Sequence, residues 1–386
     1  MANPPDAKPG PSAHAAEGSG FRLLTPLNVM VLAVPVAVAL KFAGASPVWV
    51  FVGAGLGIIP LAGYMGKATE ALAERLGAAA GGLLNATFGN AAELIIALMI
   101  LSRGPELYPL VKATVTGSII GNLLLVLGLA ILVGGLRFKT QKFDRTHAGV
   151  GATLLAIAAA GLLVPTLFFY LLPSGRAGQT PAEIHLSEEI AVVLIVIYGL
   201  SLVFTLHTHR LISGAEQDRH PEQRAGHDHW GVGLALGVLL ASTAGVAVLS
   251  EWLVSAIEHA GPVLGMTEIF MGVIVVAIVG NAAEHSTAVL VAYRDRMDLS
   301  LQIAVGSSIQ VALFVAPVLV FASLLMGHSP LLDLHFTPME VAAVVLSVAI
   351  TALVCQDGES NWLEGAMLLA LYLILGLAFY NLPAAP

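Results

Sequence analysis

The pentapeptide Gly-Asn-Ala-Ala-Glu occurs twice, at 89–93 and at 280–284, each time inside a long apolar stretch. A carboxylate at the centre of a membrane helix costs roughly 2.5–3.5 kcal/mol on insertion scales, and such groups are kept for function. Glu93 and Glu284 each offer a negative charge and two oxygens. Asn90 and Asn281 stand three residues earlier, on the same face of a helix, and add neutral amide oxygens. Each copy is followed by a Gly-Ser pair, Gly117-Ser118 and Gly306-Ser307, and has an arginine ten residues past its glutamate, Arg103 and Arg294. The duplicated unit is therefore a helix pair. Ser118 and Asn122 are four residues apart and share a face. Ser307 is the counterpart of Ser118, whereas Val311 replaces Asn122 and has Gln310 beside it.

An all-oxygen set of this kind suits a hard cation such as Ca²⁺, which takes 6–8 oxygens. No Cys or His cluster accompanies it for a softer metal. Two ionised glutamates neutralise one divalent cation. Without the cation, two bare carboxylates would repel each other and lose hydration, and both effects favour protonation. The pair thus points to a centre that carries either a divalent cation or protons. The structural alternative is a pair of glutamates hydrogen-bonded for stability alone. Gly81, Gly82, Ala86, Gly89, Ala91 and Ala92 allow close helix packing. The glycine before each Asn also permits a local unwinding that exposes carbonyls to a cation.

These residues need elements that hold them at one depth. The chain of 386 residues is 57% hydrophobic and 11% charged, against about 25% charged in a soluble domain. Apolar runs of about 20 residues recur, the length that crosses a bilayer core. The expected fold class is an all-α membrane protein. Its eleven transmembrane helices fall at about 25–43, 47–65, 80–102, 110–134, 147–172, 186–206, 230–255, 267–293, 299–326, 338–355 and 361–381. Residues 66–79 read as a short polar helix leading into the third span. Residues 1–24 read as a disordered cytoplasmic tail rather than a signal peptide. Cys355 is the single cysteine, so no intrachain disulfide forms.

With the N-terminus in the cytoplasm, 13 of the 17 Lys and Arg fall on that side and 4 on the other. The positive-inside rule prefers this orientation, which leaves the C-terminus outside. The third span then runs outward and the eighth inward, so the two copies are antiparallel. The expected organisation is one N-terminal helix (25–43), a first five-helix repeat (47–206), a His-rich cytoplasmic loop (207–229) and an inverted second repeat (230–381). Inverted repeats place a site near the bilayer midplane at their interface. Nothing in the chain matches a nucleotide loop, a nucleophile elbow or a zinc protease signature, so no enzyme is expected.

The strings GGLLNATFGNAAELIIAL (81–98), TGSIIGNLLLVLG (116–128), VGNAAEHSTAVLVA (279–292), VGSSIQVALFVAP (305–317) and DGESNWLEG (357–365) closely resemble the calcium/proton exchanger family, within the calcium/cation antiporter superfamily. The likeness covers nearly all of 25–381. It implies eleven helices, two inverted repeats, and Ca²⁺ export driven by proton entry, with Glu93 and Glu284 binding both ions. Ca²⁺ and H⁺ would be the substrates and the lipid bilayer the surroundings, with no cofactor and no nucleic-acid partner. A bacterial inner membrane is the expected location. A Na⁺/Ca²⁺ exchanger of the same superfamily and a divalent-cation channel are the alternatives.

Further residues carry two readings each. His285 follows Glu284 and either relays protons or packs as a neutral imidazole. Glu70 and Glu251, near the ends of the second and seventh spans, resemble family positions on the ion or proton path. Otherwise they are interfacial glutamates. Thr87, six residues before Glu93, is a candidate lining residue, while its counterpart Ile278 has no polar group to offer. The loop with His207, His209, His220, His227 and His229 is a solvated linker or a weak metal or pH sensor.

Overall fold

A computed structural model describes residues 26–172, 180–208 and 230–383. The 1–24 tail, and the His-rich loop beyond residue 208, lie outside the described residues. The first apolar stretch forms α1 (Pro26–Met30) and α2 (Ala33–Phe42), followed by α3 (Pro47–Phe88) and α4 (Ala91–Leu101). Next come α5 (Tyr108–Ile120), α6 (Leu127–Phe138), α7 (Arg145–Leu171) and α8 (Pro181–Val203). The second half holds α9 (Val232–Leu264), α10 (Ala277–Tyr293), α11 (Met297–Gln310), α12 (Ala316–Leu325), α13 (Pro338–Val354) and α14 (Trp362–Tyr380). Among the described residues, eight helical segments are long and apolar enough to cross a bilayer, and three more apolar helices, Leu27–Phe42, Ala91–Leu101 and Pro338–Val354, are shorter.

Burial ranks these segments. The Pro105–Phe138 and Met297–Leu325 segments, which carry the two Gly-Ser pairs, are 72% and 61% enclosed by protein, against 17% for Pro181–Leu206. The two Gly-Ser segments are therefore the most enclosed of the long spans, whereas Glu268–Tyr293, which carries the second pentapeptide, is 33% enclosed, less than Pro47–Leu76 at 50%. Both central segments contain a π-helical stretch, Gly121–Val126 joining α5 to α6 and Val311–Val315 joining α11 to α12. A third lies at Met271–Val276, just before α10. Such π stretches occur frequently at functional sites because they re-aim side chains within a continuous helix. Nothing in the hydropathy of these segments signals them.

The third apolar stretch differs from expectation. Residues 80–102 are not one helix: the first turns belong to α3, the chain breaks at Gly89 and Asn90, and α4 begins at Ala91. Asn90 sits at φ −106°, ψ 30°, outside the helical region. The polar 66–79 segment continues the helix of the second span instead of standing apart. That long element bends back on itself. A Cβ at Gly81 would lie 2.4 Å from the Ala73 carbonyl oxygen, whereas eight residues of straight helix span about 12 Å. The seventh span also runs further than expected, to Leu264.

The all-α expectation needs one correction. Thr140–Lys142 (β1) and Glu359–Asn361 (β2) form a short antiparallel ribbon. The second strand lies within DGESNWLEG, whose Asn361 then caps α14 by accepting from the Leu363 and Glu364 amides. Three-residue strands carry too little alternation to be read from sequence. Behind the ribbon, α6 and α14 cross closely at glycines. A Cβ at Gly135 would lie 2.4 Å from the Trp362 nitrogen, and one at Gly365 2.4 Å from the Leu132 nitrogen.

Candidate functional site

The break at Gly89 and Asn90 puts Glu93 in the first turn of α4. The unpaired N–H groups and positive dipole end of a helix start favour an anion there. Glu284 arrives differently, within α10, which passes through Gly280 and Asn281 without interruption. The unwinding that the glycine permits in each copy thus occurs in the first only. The same-face relation of Asn to Glu holds in a continuous helix for Asn281 and Glu284 but not for Asn90. The two carboxylates still come within electrostatic reach of one another, and the Glu93 Cγ sits 3.3 Å from where a Cβ at Gly280 would be.

Amides and hydroxyls from four segments tie the centre together. The Asn90 Nδ2 donates to the Ser307 carbonyl (3.2 Å) and Oγ (3.1 Å). The Asn122 Nδ2, from the π stretch, donates to Ser307 Oγ (2.9 Å) and to Asn281 Oδ1 (3.2 Å). The Asn281 Nδ2 donates to Ser118 Oγ (3.0 Å) and to the Ala277 carbonyl (2.9 Å). Ser307 Oγ thus accepts two N–H groups, which leaves its own hydrogen for another acceptor. The Glu284 carboxylate faces it. Asn90, Ser118, Asn122, Asn281 and Ser307 are all buried.

Within this centre two acceptors, Glu284 Oε2 and Asn122 Oδ1, have no hydrogen-bond partner among the described residues. Buried acceptors are normally satisfied, so a pair left over in one centre marks a place for a donor or a cation. Beside it a narrow cavity is lined by Glu93, Thr114, Ser118 and Gly280, with apolar walls that include Ile96 and Val311. Among the described residues no three His, Cys, Asp or Glu side chains cluster as a metal site. The centre therefore offers two charges and neutral oxygens, the donor set of a hard cation.

All seven oxygen-bearing residues expected at the site are brought together, and Gln310 joins their edge, its Oε1 3.4 Å from a Cβ placed on Gly89. His285 is only partly buried, with Nε2 enclosed and without a partner among the described residues. Thr87 does not join: it is exposed, and its hydroxyl donates to the Leu83 carbonyl of its own helix (2.9 Å). Glu70 is exposed on α3, and Glu251 pairs with Arg103 instead of pointing to the centre. Thr114 was missed, although it stands four residues before Ser118 on the same face of α5, a spacing that would have found it.

The profile of the family described as sodium/calcium exchanger protein matches residues 46–207 and 234–381. The chain is similar to a Ca²⁺/H⁺ antiporter of Aphanothece halophytica, 46% identical over 369 residues that cover 92% of this chain and 96% of the relative. It is also similar to the Ca²⁺/H⁺ antiporter ChaA of Bacillus subtilis, 43% identical over 332 residues, 84% of this chain and 90% of the relative. The solved structure of native YfkE matches with a TM-score of 0.77 at 38% identity, covering 92% of this chain and all (100%) of that one. The sodium-calcium exchanger NCX_Mj matches at 0.54 and 17% identity, covering 91% and 100%, a likeness of fold alone.

Proposed function

Because the chain belongs to the sodium/calcium exchanger protein family, we propose that it is a membrane antiporter that exchanges Ca²⁺ for H⁺ at Glu93 and Glu284. The observation that carries this is the approach of the buried Glu93 and the partly buried Glu284 within one amide and hydroxyl network that leaves two acceptors over. The names of the relatives at 43–46% identity support protons as the counter-ion. The match to a sodium-coupled exchanger extends to fold only, so Na⁺ coupling is the weaker alternative.

Exchange follows from charge balance. Two carboxylates neutralise one Ca²⁺, and two protons neutralise the same carboxylates. With neither bound, two like charges would sit in a low-dielectric centre with little water, an arrangement that costs several kcal/mol per ion. The centre therefore changes sides loaded with one substrate or the other. Asn90, Asn122 and Asn281 keep their N–H groups engaged with protein acceptors, so the centre presents oxygens to the cation.

The eight long and three shorter apolar helices support eleven spans, the first (25–43) standing apart from repeats at 47–206 and 230–381. The π stretches after Ser118 and after Gln310 support the duplication, since they fall in matching positions of the two copies. The charge count supports a cytoplasmic N-terminus and an external C-terminus, and the bacterial source of the relatives supports a bacterial inner membrane.

Everted membrane vesicles with an inward-acid gradient test the proposal. They are expected to accumulate Ca²⁺ while their interior alkalinises. Uptake that requires a Na⁺ gradient and ignores the proton gradient would overturn proton coupling. Asn281→Ala removes the bonds to Ser118 and Ala277 and the one accepted from Asn122, and leaves the charges in place. It is expected to raise the Ca²⁺ concentration for half-maximal uptake by about tenfold, the scale of one or two lost buried hydrogen bonds. An unchanged value would remove Asn281 from the site.

A further inference from the structure

The ion centre makes no use of the two arginines that stand ten residues past the site glutamates. Arg103 follows the C-terminal end of α4, and its guanidinium reaches Glu251 of α9 and the Ser255 hydroxyl (2.6 Å). The charge count puts this contact on the outer side. The chain repeats its ingredients on the cytoplasmic side. Arg294 stands to Glu284 as Arg103 does to Glu93. Thr69-Glu70 with Leu72 matches Ser250-Glu251 with Leu253, and Thr69, Ser250, Leu72 and Leu253 are all buried. In this register Glu74 takes the place of Ser255. Glu70 and Glu74 are one helical turn apart on α3 and both exposed. Among the described residues, no ion pair joins Arg294 to either of them.

The glycines of the Gly-Ser pairs show the same one-sidedness. A Cβ at Gly117 would lie 2.3 Å from the Val273 carbonyl oxygen and 2.5 Å from its Cα, so α5 meets the backbone before α10 at contact distance. Its counterpart Gly306 has nothing within 4 Å of that position. On the outer side the arginine is paired and the helices are closed. On the inner side the matching arginine is unpaired with its glutamates and the matching glycine is open.

We propose that Arg103 and Arg294 are alternating latches, Arg103 holding the outer side shut on Glu251 and Ser255, and Arg294 closing the cytoplasmic side on Glu70 and Glu74 when the site faces outward. The proposal rests on the alternating-access reading of the exchange function. The observed pair is partly exposed, with side-chain exposures of 33% for Arg103 and 46% for Glu251. Such pairs are weak, which suits a switch: a latch that bound tightly on one side would trap the protein there. Glu70 and Glu251 then act on conformation rather than as ligands on the ion path.

The test uses the full chain with Cys355→Ser, so that introduced cysteines are the only ones. Glu70→Cys with Arg294→Cys in everted vesicles is expected to form a disulfide under oxidant. Uptake should then fall at least about tenfold and recover with reductant, since a cross-link locks one state. No disulfide in a variant that transports when reduced would overturn the latch. The cross-link is read on a gel whatever ion is carried, so a disulfide without Ca²⁺ uptake would overturn the ion assignment and leave the latch standing. A second set follows labelling of Gly306→Cys from the cytoplasmic face by an impermeant maleimide. Arg103→Gln is expected to slow it and Arg294→Gln to hasten it, each roughly two- to fivefold as befits an exposed pair. The charge swap Arg103→Glu with Glu251→Arg should restore the rate. Shifts in the same direction, or no rescue by the swap, would overturn the proposal.

Discussion

Glu284→Gln is expected to abolish proton-driven Ca²⁺ uptake by everted vesicles, lowering the initial rate at least about 100-fold, and Glu93→Gln is expected to do the same. The substitution keeps volume and leaves the amide network able to form. What it removes is one of two charges in a buried centre. Breaking a buried ion pair, here carboxylate with Ca²⁺, costs about 3–5 kcal/mol, which is roughly 10²–10⁴ in affinity. For Glu284 the change also gives the unpartnered Oε2 position a neutral amide, which cannot carry a proton across. For Glu93 it removes an anion from the start of α4, where the helix end favours one. Initial rates, normalised to protein in the membrane, decide the matter. Substantial uptake by either variant would show that Ca²⁺ does not need both carboxylates, and the one-centre assignment would fall.

Gly117→Ala should have the second-largest effect. The added methyl would sit 2.3–2.7 Å from three backbone atoms of Val273, and backbone cannot swing aside as a long side chain can. The contact is mutual, since a Cβ at Gly272 would lie 2.5 Å from the Ala113 Cβ. Small residues let membrane helices approach this closely, and packing is a main source of their association. Overpacking such a contact costs about 1–3 kcal/mol. The expected results are a lower melting temperature in detergent and exchange reduced at least about tenfold. Gly306→Ala is the control, because nothing lies near that position, and its melting temperature should match that of the unaltered protein. Equal effects of the two substitutions would contradict the one-sided closure.

Much of the site was legible before any coordinates. A carboxylate costs so much in an apolar helix that its presence, doubled and with the same neighbours, singled out Glu93 and Glu284 as candidates. The offsets of Ser118 and Ser307 from those glutamates then named the partner segments. Thr87 failed because sequence distance was counted along a helix that does not exist: the chain breaks between it and Glu93. Glu70 and Glu251 lie outside the centre, Glu70 on the stretch of α3 that runs past the expected span end and Glu251 on α9, where Arg103 supplies it with a partner.

The sequence by itself determined the apolar segments, the repeated pentapeptide and the candidate residues, because hydrophobic length and the cost of buried charge are properties of the chain. Only the tertiary structure decided the backbone that presents them. The same five residues break the helix at 89–90 and continue it through 280–284, so no local propensity sets the difference. It is set by what each copy packs against: the Glu93 side chain and Ile96 beside Gly280, Gln310 beside Gly89, and the Ser307 hydroxyl and carbonyl holding Asn90 out of the helix. Those neighbours are brought together over separations of about 190–220 residues. The short ribbon, the π stretches and the closure of one side alone arise in the same way, from packing among whole helices.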